Sequence, residues 1–227
     1  MNSSVFKVLA CIIMLIDHVG AVFFPKLIIF RIIGRLAFPI FAYFIAEGYR
    51  KTKDITDYLG RLFIFALVSQ LPFMYAFNSQ SLYLNVFFTL AAGLYALYIY
   101  DKHKKIYMVI LIAIACQFVS TDYGAYGVIL IFLFNKYHDN YKKMAINVIT
   151  FTVIYQLIKG GMSYFTVPSA YLSRSLLFTL IIQPLSLFSL ILLRFYNKER
   201  GLKLKYLFYG FYPIHLTFIW LVKELLK

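Results

Sequence analysis

Between Val5 and Phe24 the chain is apolar apart from Lys7 near the start and the adjacent pair Asp17-His18 near the end. About 20 helical residues at ~1.5 Å each span ~30 Å, the thickness of a bilayer's hydrocarbon core. In hydrocarbon every backbone N–H and C=O must be satisfied within the protein, which confines such a run to a helix. An aspartate at the centre of a membrane helix costs roughly 2.5–3.5 kcal/mol. That cost persists only where a partner, a wet cavity or a chemical task offsets it. A polar lock between helices needs one such group. Two adjacent titratable groups point to a buried functional site.

Similar runs follow along the whole chain. Apolar stretches and their breakers predict spans at about 5–24, 34–49, 59–77, 85–100, 106–120, 123–136, 144–159, 175–193 and 206–225. A short amphipathic piece, Lys26 to Ile33, lies between the first two in the interface. The predicted fold is an all-α polytopic transmembrane bundle of about nine spans, a single domain over residues 1–227. Composition agrees, since 62% of the 227 residues are hydrophobic and only 14% are charged. A soluble domain cannot hide that much apolar surface. Cys11 and Cys116 both fall within apolar runs, giving no disulfide framework and no zinc spacing.

The net charge of +14 raises nucleic acid as a partner, but the basic residues fall in short clusters between apolar runs. Such clusters report membrane orientation and contact with lipid headgroups or anionic ligands. Most of them fall at the N-terminus and in alternate loops, which predicts a cytoplasmic N-terminus. On that topology His18 lies ~20 Å from the cytoplasmic edge and His215 ~14 Å up the last span, at 1.5 Å per residue. Arg31, Arg35, Asn85 and Asp122 fall at outward ends of spans. Residues remote in sequence thus converge on one layer in the outer half.

Within that layer His18 is suited to take a proton from an incoming nucleophile. Asp17 sits about 100° round the helix from it, a poor position for orienting its ring. The expected partners of His18 are on other helices: Asn85, Asp122 or Tyr212. Asp17 either pairs with Arg35 or binds a cationic amine. Arg35 either holds a carboxylate or developing oxyanion, or is structural, while Arg31 snorkels. Pro39 and Pro213 each lack an N–H, so each is expected to kink its span and free the carbonyl four residues earlier, at Arg35 and Tyr209. His215 lies beside the second kink. Glu47 is expected to pair with Arg61 across a short loop. Arg50, Lys51, Lys53 and Arg61 either report topology alone or receive the phosphates of a cytosolic ligand. Asp122 either caps the sixth span or reaches the site. No metal site, phosphate-binding glycine loop or nucleophile elbow is present in the sequence.

The chain resembles the TraX family of bacterial inner-membrane proteins, named for the protein that acetylates the N-terminus of conjugative pilin. The resemblance rests on Ile13-Met14-Leu15-Ile16-Asp17-His18, Gly34-Arg35-Leu36-Ala37-Phe38-Pro39-Ile40-Phe41, Glu47-Gly48-Tyr49, Tyr58-Leu59-Gly60-Arg61-Leu62 and the segment from Tyr206 to His215. Asn85-Val86 and Asp122-Tyr123-Gly124 also match. Through this family the chain is similar to a wider group of membrane acyltransferases, including the type 3 acyltransferases and the lysosomal heparan N-acetyltransferase. In the type 3 group a basic residue precedes a first-helix histidine by eleven positions. Lys7 and His18 have that spacing, with Lys in place of the usual Arg.

The resemblance implies an acetyl-CoA-dependent N-acetyltransferase of the bacterial cytoplasmic membrane, with acetyl-CoA as co-substrate and no metal. His18 and Asp17 are the expected catalytic residues. Arg35, Asn85, Asp122, Tyr212 and His215 are the candidates for oxyanion or substrate binding. Arg50, Lys51, Lys53 and Arg61 are the candidates for binding coenzyme A. The expected acceptor is an amine, either the N-terminus of a membrane-inserted or secreted peptide or a small amino compound. Membrane lipids are expected partners and nucleic acid is not. The competing readings are a proton-coupled transporter or exporter with Asp17 and His18 as a relay, and a non-enzymatic assembly partner for a secreted peptide.

Overall fold

The computed structural model describes residues 1–79 and 83–226, and these are helical almost throughout. The elements are α1 (Ser3–Phe23), α2 (Ile28–Gly34), α3 (Ala37–Lys51), α4 (Ile55–Phe77), α5 (Val86–His103) and α6 (Ile106–Phe118). They continue with α7 (Gly124–Lys136), α8 (Tyr141–Thr166), α9 (Ser169–Leu176), α10 (Phe188–Leu193) and α11 (Lys205–Leu225). Between α9 and α10 the same helical stretch passes through a π-helical segment, Leu177–Ile182, and a 3₁₀ segment, Gln183–Leu187. With α2 and α3 taken as one stretch, and α9 through α10 as another, the described residues make nine helical stretches. Five are long and apolar enough to cross a membrane: Ser3–Phe23, Ile28–Lys51, Ile55–Phe77, Tyr141–Thr166 and Tyr171–Leu193.

The outer surface is that of a membrane bundle. On α4, Ile64, Leu67, Val68 and Leu71 are all more than half exposed. Their i, i+3, i+4, i+7 spacing makes one continuous apolar stripe, which suits lipid and not water. The opposite face of α4 buries Leu62, Ala66, Ser69 and Phe73 against the bundle. Helix starts follow local chemistry. The side chains of Asn2, Asp54, Asn85 and Asn140 each accept from a backbone N–H in the first turn of α1, α4, α5 and α8.

Three expectations need correction. Pro39 does not bend a continuous helix, because the stretch Ile28–Lys51 is interrupted at Arg35 and Leu36, between α2 and α3. Pro39 is the third residue of α3, where an N–H has no intrahelical acceptor. The seventh span, expected to end near residue 159 ahead of Gly160-Gly161, runs on as α8 to Thr166. Gly160 is a close-approach position: a Cβ there would press on Leu180 of the π-helical segment. Packing outweighs the ~1 kcal/mol that a glycine costs a helix. Asp122 does not cap α7, whose cap position is Tyr123 at φ +66°. Pro213, by contrast, lies inside α11 as expected.

Side-chain and backbone bonds gather the loops at two ends. At one end the Met1 ammonium donates to the Phe195 carbonyl, Lys51 Nζ to the Lys198 carbonyl, and Tyr49 to Asp101. Arg50 reaches Asp139 there. At the other end a parallel bridge ties Leu84 to Thr121, and Lys223 Nζ donates to the last carbonyls of α4. The basic clusters from alternate loops therefore share one end.

Candidate functional site

The site grows from the packing of α2 on α1. Gly34 makes that packing possible, because any Cβ at this position would collide with the side chain of Asp17. With no side chain in the way, both arginines of the turn reach the carboxylate. Arg31 Nη1 lies 2.8 Å from Asp17 Oδ2, and Arg35 Nη2 lies 3.2 Å from each carboxylate oxygen. Arg35 also donates from Nη1 to Gln183 Oε1 at 3.1 Å, and both guanidinium groups lie within 6 Å of the Phe178 ring centroid. Asp17 is thus an anchor shared by two arginines. Its pairing with Arg35 was one of the two roles expected of it, and Arg31 joins the same cluster in place of snorkelling.

His18, the next residue, turns to α11. Its Nδ1 lies 2.7 Å from Nε2 of His215, and His215 Nδ1 lies 2.7 Å from the carbonyl of Phe211. A carbonyl only accepts, so His215 carries its proton on Nδ1 and presents a bare Nε2. That nitrogen accepts from His18 Nδ1–H. In the neutral pair the remaining lone pair of His18 is then on Nε2, which has no hydrogen-bond partner among the described residues. The partner of His18 is therefore His215, and none of Asn85, Asp122 or Tyr212. Tyr212 and Phe77 instead pack edge-on against the His18 ring, with centroids 6.0 and 5.1 Å away.

The groups open onto a cavity of about 270 Å³ lined by Asp17, His18, Arg31, Arg35, Asp122 and Tyr212, among others. Its far wall is the Asp122-Tyr123 turn between α6 and α7. Tyr123 stacks on Phe38 with ring centroids 3.6 Å apart, and the Tyr83 hydroxyl donates to Asp122 Oδ1 at 3.3 Å. Burial pushes the Asp122 carboxyl up to about 6, with Arg35 pulling the other way. Asn85 belongs to the scaffold. It is fully buried, its Nδ2 donates to the Ala66 carbonyl and Gln70 Oε1, and its Oδ1 caps α5.

A second, larger cavity of about 500 Å³ opens at the end that carries the basic clusters. Lys7, Lys51, Lys53, Arg61, Arg200 and Lys203 line it. Arg61 Nε is buried there without a hydrogen-bond partner among the described residues. Arg50 is not in this lining and is bound to Asp139, with 2.9 Å between Nη2 and Oδ2. Glu47 does not pair with Arg61. It is buried in a cluster with His138, with Lys51 at 2.5 Å and with the Tyr196 hydroxyl at 3.1 Å, while Arg61 faces Asp57. The two cavities share Met14, Phe41, Val86 and Tyr212 in their walls. They therefore adjoin across these four residues, beside His18.

Tyr83, Gln183 and His138 were not singled out by sequence reasoning, and Tyr123 entered only as part of the Asp122-Tyr123-Gly124 motif, with no role of its own. Tyr123 carried one signal, an aromatic residue directly before a turn glycine. The others sit in runs with nothing to mark them. Comparison with known proteins now adds to this geometry. No solved structure matches the chain. A probable fimbrial assembly protein, FimC of serogroup H1, from Dichelobacter nodosus is 29% identical over 97% of this chain and 95% of its own length. An uncharacterized protein, RP591, from Rickettsia prowazekii is 36% identical over 38% of this chain and 33% of its own length. The family model described as TraX protein matches residues 2–223, and the chain belongs to that family.

Proposed function

We propose that this chain is an acetyltransferase of the bacterial cytoplasmic membrane, moving an acetyl group from acetyl-CoA to an amine presented from the other side. The observation that carries this reading is the pair of cavities meeting beside His18. One is lined with cations suited to phosphates, and the other holds a histidine with a bare Nε2. Lys51, Lys53 and Arg61, with Lys7, Arg200 and Lys203, would hold the phosphates of coenzyme A. Its pantetheine arm would pass Met14, Phe41, Val86 and Tyr212. The orphaned Arg61 Nε supports this fit, as a buried donor in want of an acceptor.

The amine nitrogen attacks the thioester carbonyl, forming the C–N bond, while His18 Nε2 takes the proton released. The oxyanion faces Tyr212, whose side chain borders both cavities, with the Arg31–Arg35 cluster as the nearest fixed positive charge. Collapse breaks the C–S bond, and the His18 imidazolium returns its proton to the departing thiolate. His215 holds the tautomer that leaves Nε2 free. Asp17 keeps the two arginines in place, a role that replaces the expected capture of the acceptor ammonium. The fimbrial relative and the TraX family make the N-terminus of an assembling pilus peptide the first acceptor to try.

The test uses purified protein with radiolabelled acetyl-CoA and peptide or small-amine acceptors. Transfer is expected for the wild type and a fall of 10²–10⁴-fold for His18→Ala, the usual range for loss of a general base. Undiminished transfer by the variant removes His18 from the chemistry. Flux in liposomes driven by a proton gradient without acetyl-CoA would favour transport instead.

A further inference from the structure

A third cavity, of about 370 Å³, lies behind the reaction layer and takes no part in the steps above. It is enclosed by the α6–α7 turn, by α8 and by the π-helical and 3₁₀ stretch around Phe178 and Gln183. Arg31, Arg35, Tyr83, Asp122 and Tyr123 line both this chamber and the His18 cavity, so the two adjoin at these five side chains.

The lining has a definite chemistry. Arg31, Arg35 and Lys159 supply three cations, and Asp122 is the carboxylate facing them. Even with Asp17 counted behind the arginines, cations outnumber carboxylates. Lys159 has no ion pair among the described residues, whereas Asp17 holds both arginines. Gln156 is the second observation. It is 4% exposed, lines the chamber, and its Oε1 has no hydrogen-bond partner among the described residues. Leaving such an amide unsatisfied costs about 1–3 kcal/mol, and a residue with only a packing role would be apolar here. A terminal carboxamide can turn either its oxygen or its NH₂ to a ligand. Gln183 extends the same surface from the π-helical side, already bonded to Arg35. Insertions of π-helix re-aim side chains in this way and recur at functional sites.

We propose that this chamber binds an anionic group, a carboxylate or a phosphate, belonging to the acceptor, so that the acceptor is an amine bearing an acid group. Lys159 and the outward edges of Arg31 and Arg35 neutralise the anion, and Gln156 donates to it. The amine end then reaches past these shared side chains towards His18. Asp122 is the carboxylate of this lining that opposes an anion, and the three cations outnumber it. This inference rests on the acetyl-transfer reading for the identity of the ligand, but the anion site itself is testable without turnover.

The experiment follows the melting temperature of the full-length protein in detergent during titration with sodium phosphate or sodium acetate, at constant ionic strength set with chloride. Specific binding raises the melting temperature along a saturating curve. The expected result is saturation with at least one of the two anions. That response should be weakened about tenfold or lost in Lys159→Met and in the isosteric Gln156→Glu, as expected when charge-assisted bonds are removed or opposed. It should survive in Lys53→Met. Titrations indistinguishable from chloride, or a response lost equally in Lys53→Met, overturn the proposal. A response to acetate alone assigns an amino acid or acidic peptide, and one to phosphate alone a phosphorylated amine. Coenzyme A is the parallel probe and should show the reverse pattern, sensitive to Lys53→Met and indifferent to Lys159→Met. If coenzyme A has no effect while an anion saturates, the donor reading fails and the anion site stands. If coenzyme A binds and neither anion does, the anion site alone fails.

Discussion

His18 Nδ1 and His215 Nε2 lie 2.7 Å apart although 197 residues separate them in the chain. The bond fixes a direction of proton donation. The Phe211 carbonyl sets the tautomer of His215, which sets that of His18 and leaves the His18 Nε2 lone pair free in a residue that lines the cavity. A histidine held in this way is a positioned base, as when an outer partner orients a metal-ligating or catalytic imidazole.

Removing the acceptor at position 215 should therefore weaken catalysis without emptying the donor site. His215→Leu is expected to lower kcat for acetyl transfer by about 10–100-fold, the usual effect of losing an orienting partner. KM for acetyl-CoA should stay near the wild-type value. His215→Gln, which retains an acceptor oxygen, should recover part of the loss. Steady-state kinetics across a pH series checks this, and an unchanged kcat and pH profile in His215→Leu would contradict a positioning role.

Asp17 balances two guanidinium groups in a buried setting, so its neutralisation should cost more than a surface ion pair. Asp17→Asn is expected to destabilise the protein by about 3–5 kcal/mol, because it leaves buried cations uncompensated. Neutralising Arg35 in the same chain should return some of that stability. Unfolding in detergent of the two single variants and the double variant gives the coupling directly. Strict additivity would show that the pair does not interact.

Glycines 34 and 161 make opposite predictions. Gly34→Ala places a methyl group on the Asp17 side chain and should destabilise by about 1–3 kcal/mol. Gly161 lies inside α8 and a Cβ there meets nothing within 4 Å. Gly161→Ala should therefore stabilise, by up to ~1 kcal/mol, as a helix-interior replacement does. Melting temperatures of the two variants side by side decide it, and a tolerated Gly34→Ala would refute the close packing of α2 on α1.

Asp122 should make stability depend on pH in a set direction. Its carboxyl titrates at about 6 in the fold against an ordinary value of 3.8, so the folded state holds its proton more tightly. The stabilisation is complete below pH ~4 and is lost as pH rises through about 6. Asp122→Asn lacks this titration. Relative to the wild type it should gain about 2 kcal/mol between pH 4 and 7.5, at ~1.4 kcal/mol for each unit of displacement. Thermal unfolding at pH 4, 6 and 7.5 tests it, and a constant difference between the two proteins would be the contrary result.

Much of the architecture was legible because membrane helices leave a local signal. Long apolar runs locate α1, α4 and α11 to within a few residues, and the Asn85 cap places the start of α5. The errors came where local chemistry was outweighed or ambiguous. Gly160-Gly161 reads as a helix stop, but Leu180 packs where a larger residue would not fit. Pro39 reads as a kink, yet it sits in a first turn, where its missing N–H has no consequence.

The site divides along the same physical line. The energetic expense of Asp17 and His18 in an apolar run is a property of the sequence, and so is the layer they share with Arg35, Asp122 and His215, since helical rise converts residue number into depth. Partner choice is different. It depends on which helices are neighbours and how each is rotated, and depth carries no record of either. Only the packing of α1 against α2 and α11 gave Asp17 to the two arginines and His18 to His215. Only that same packing left Asn85 in the scaffold and set the two cavities side by side next to His18.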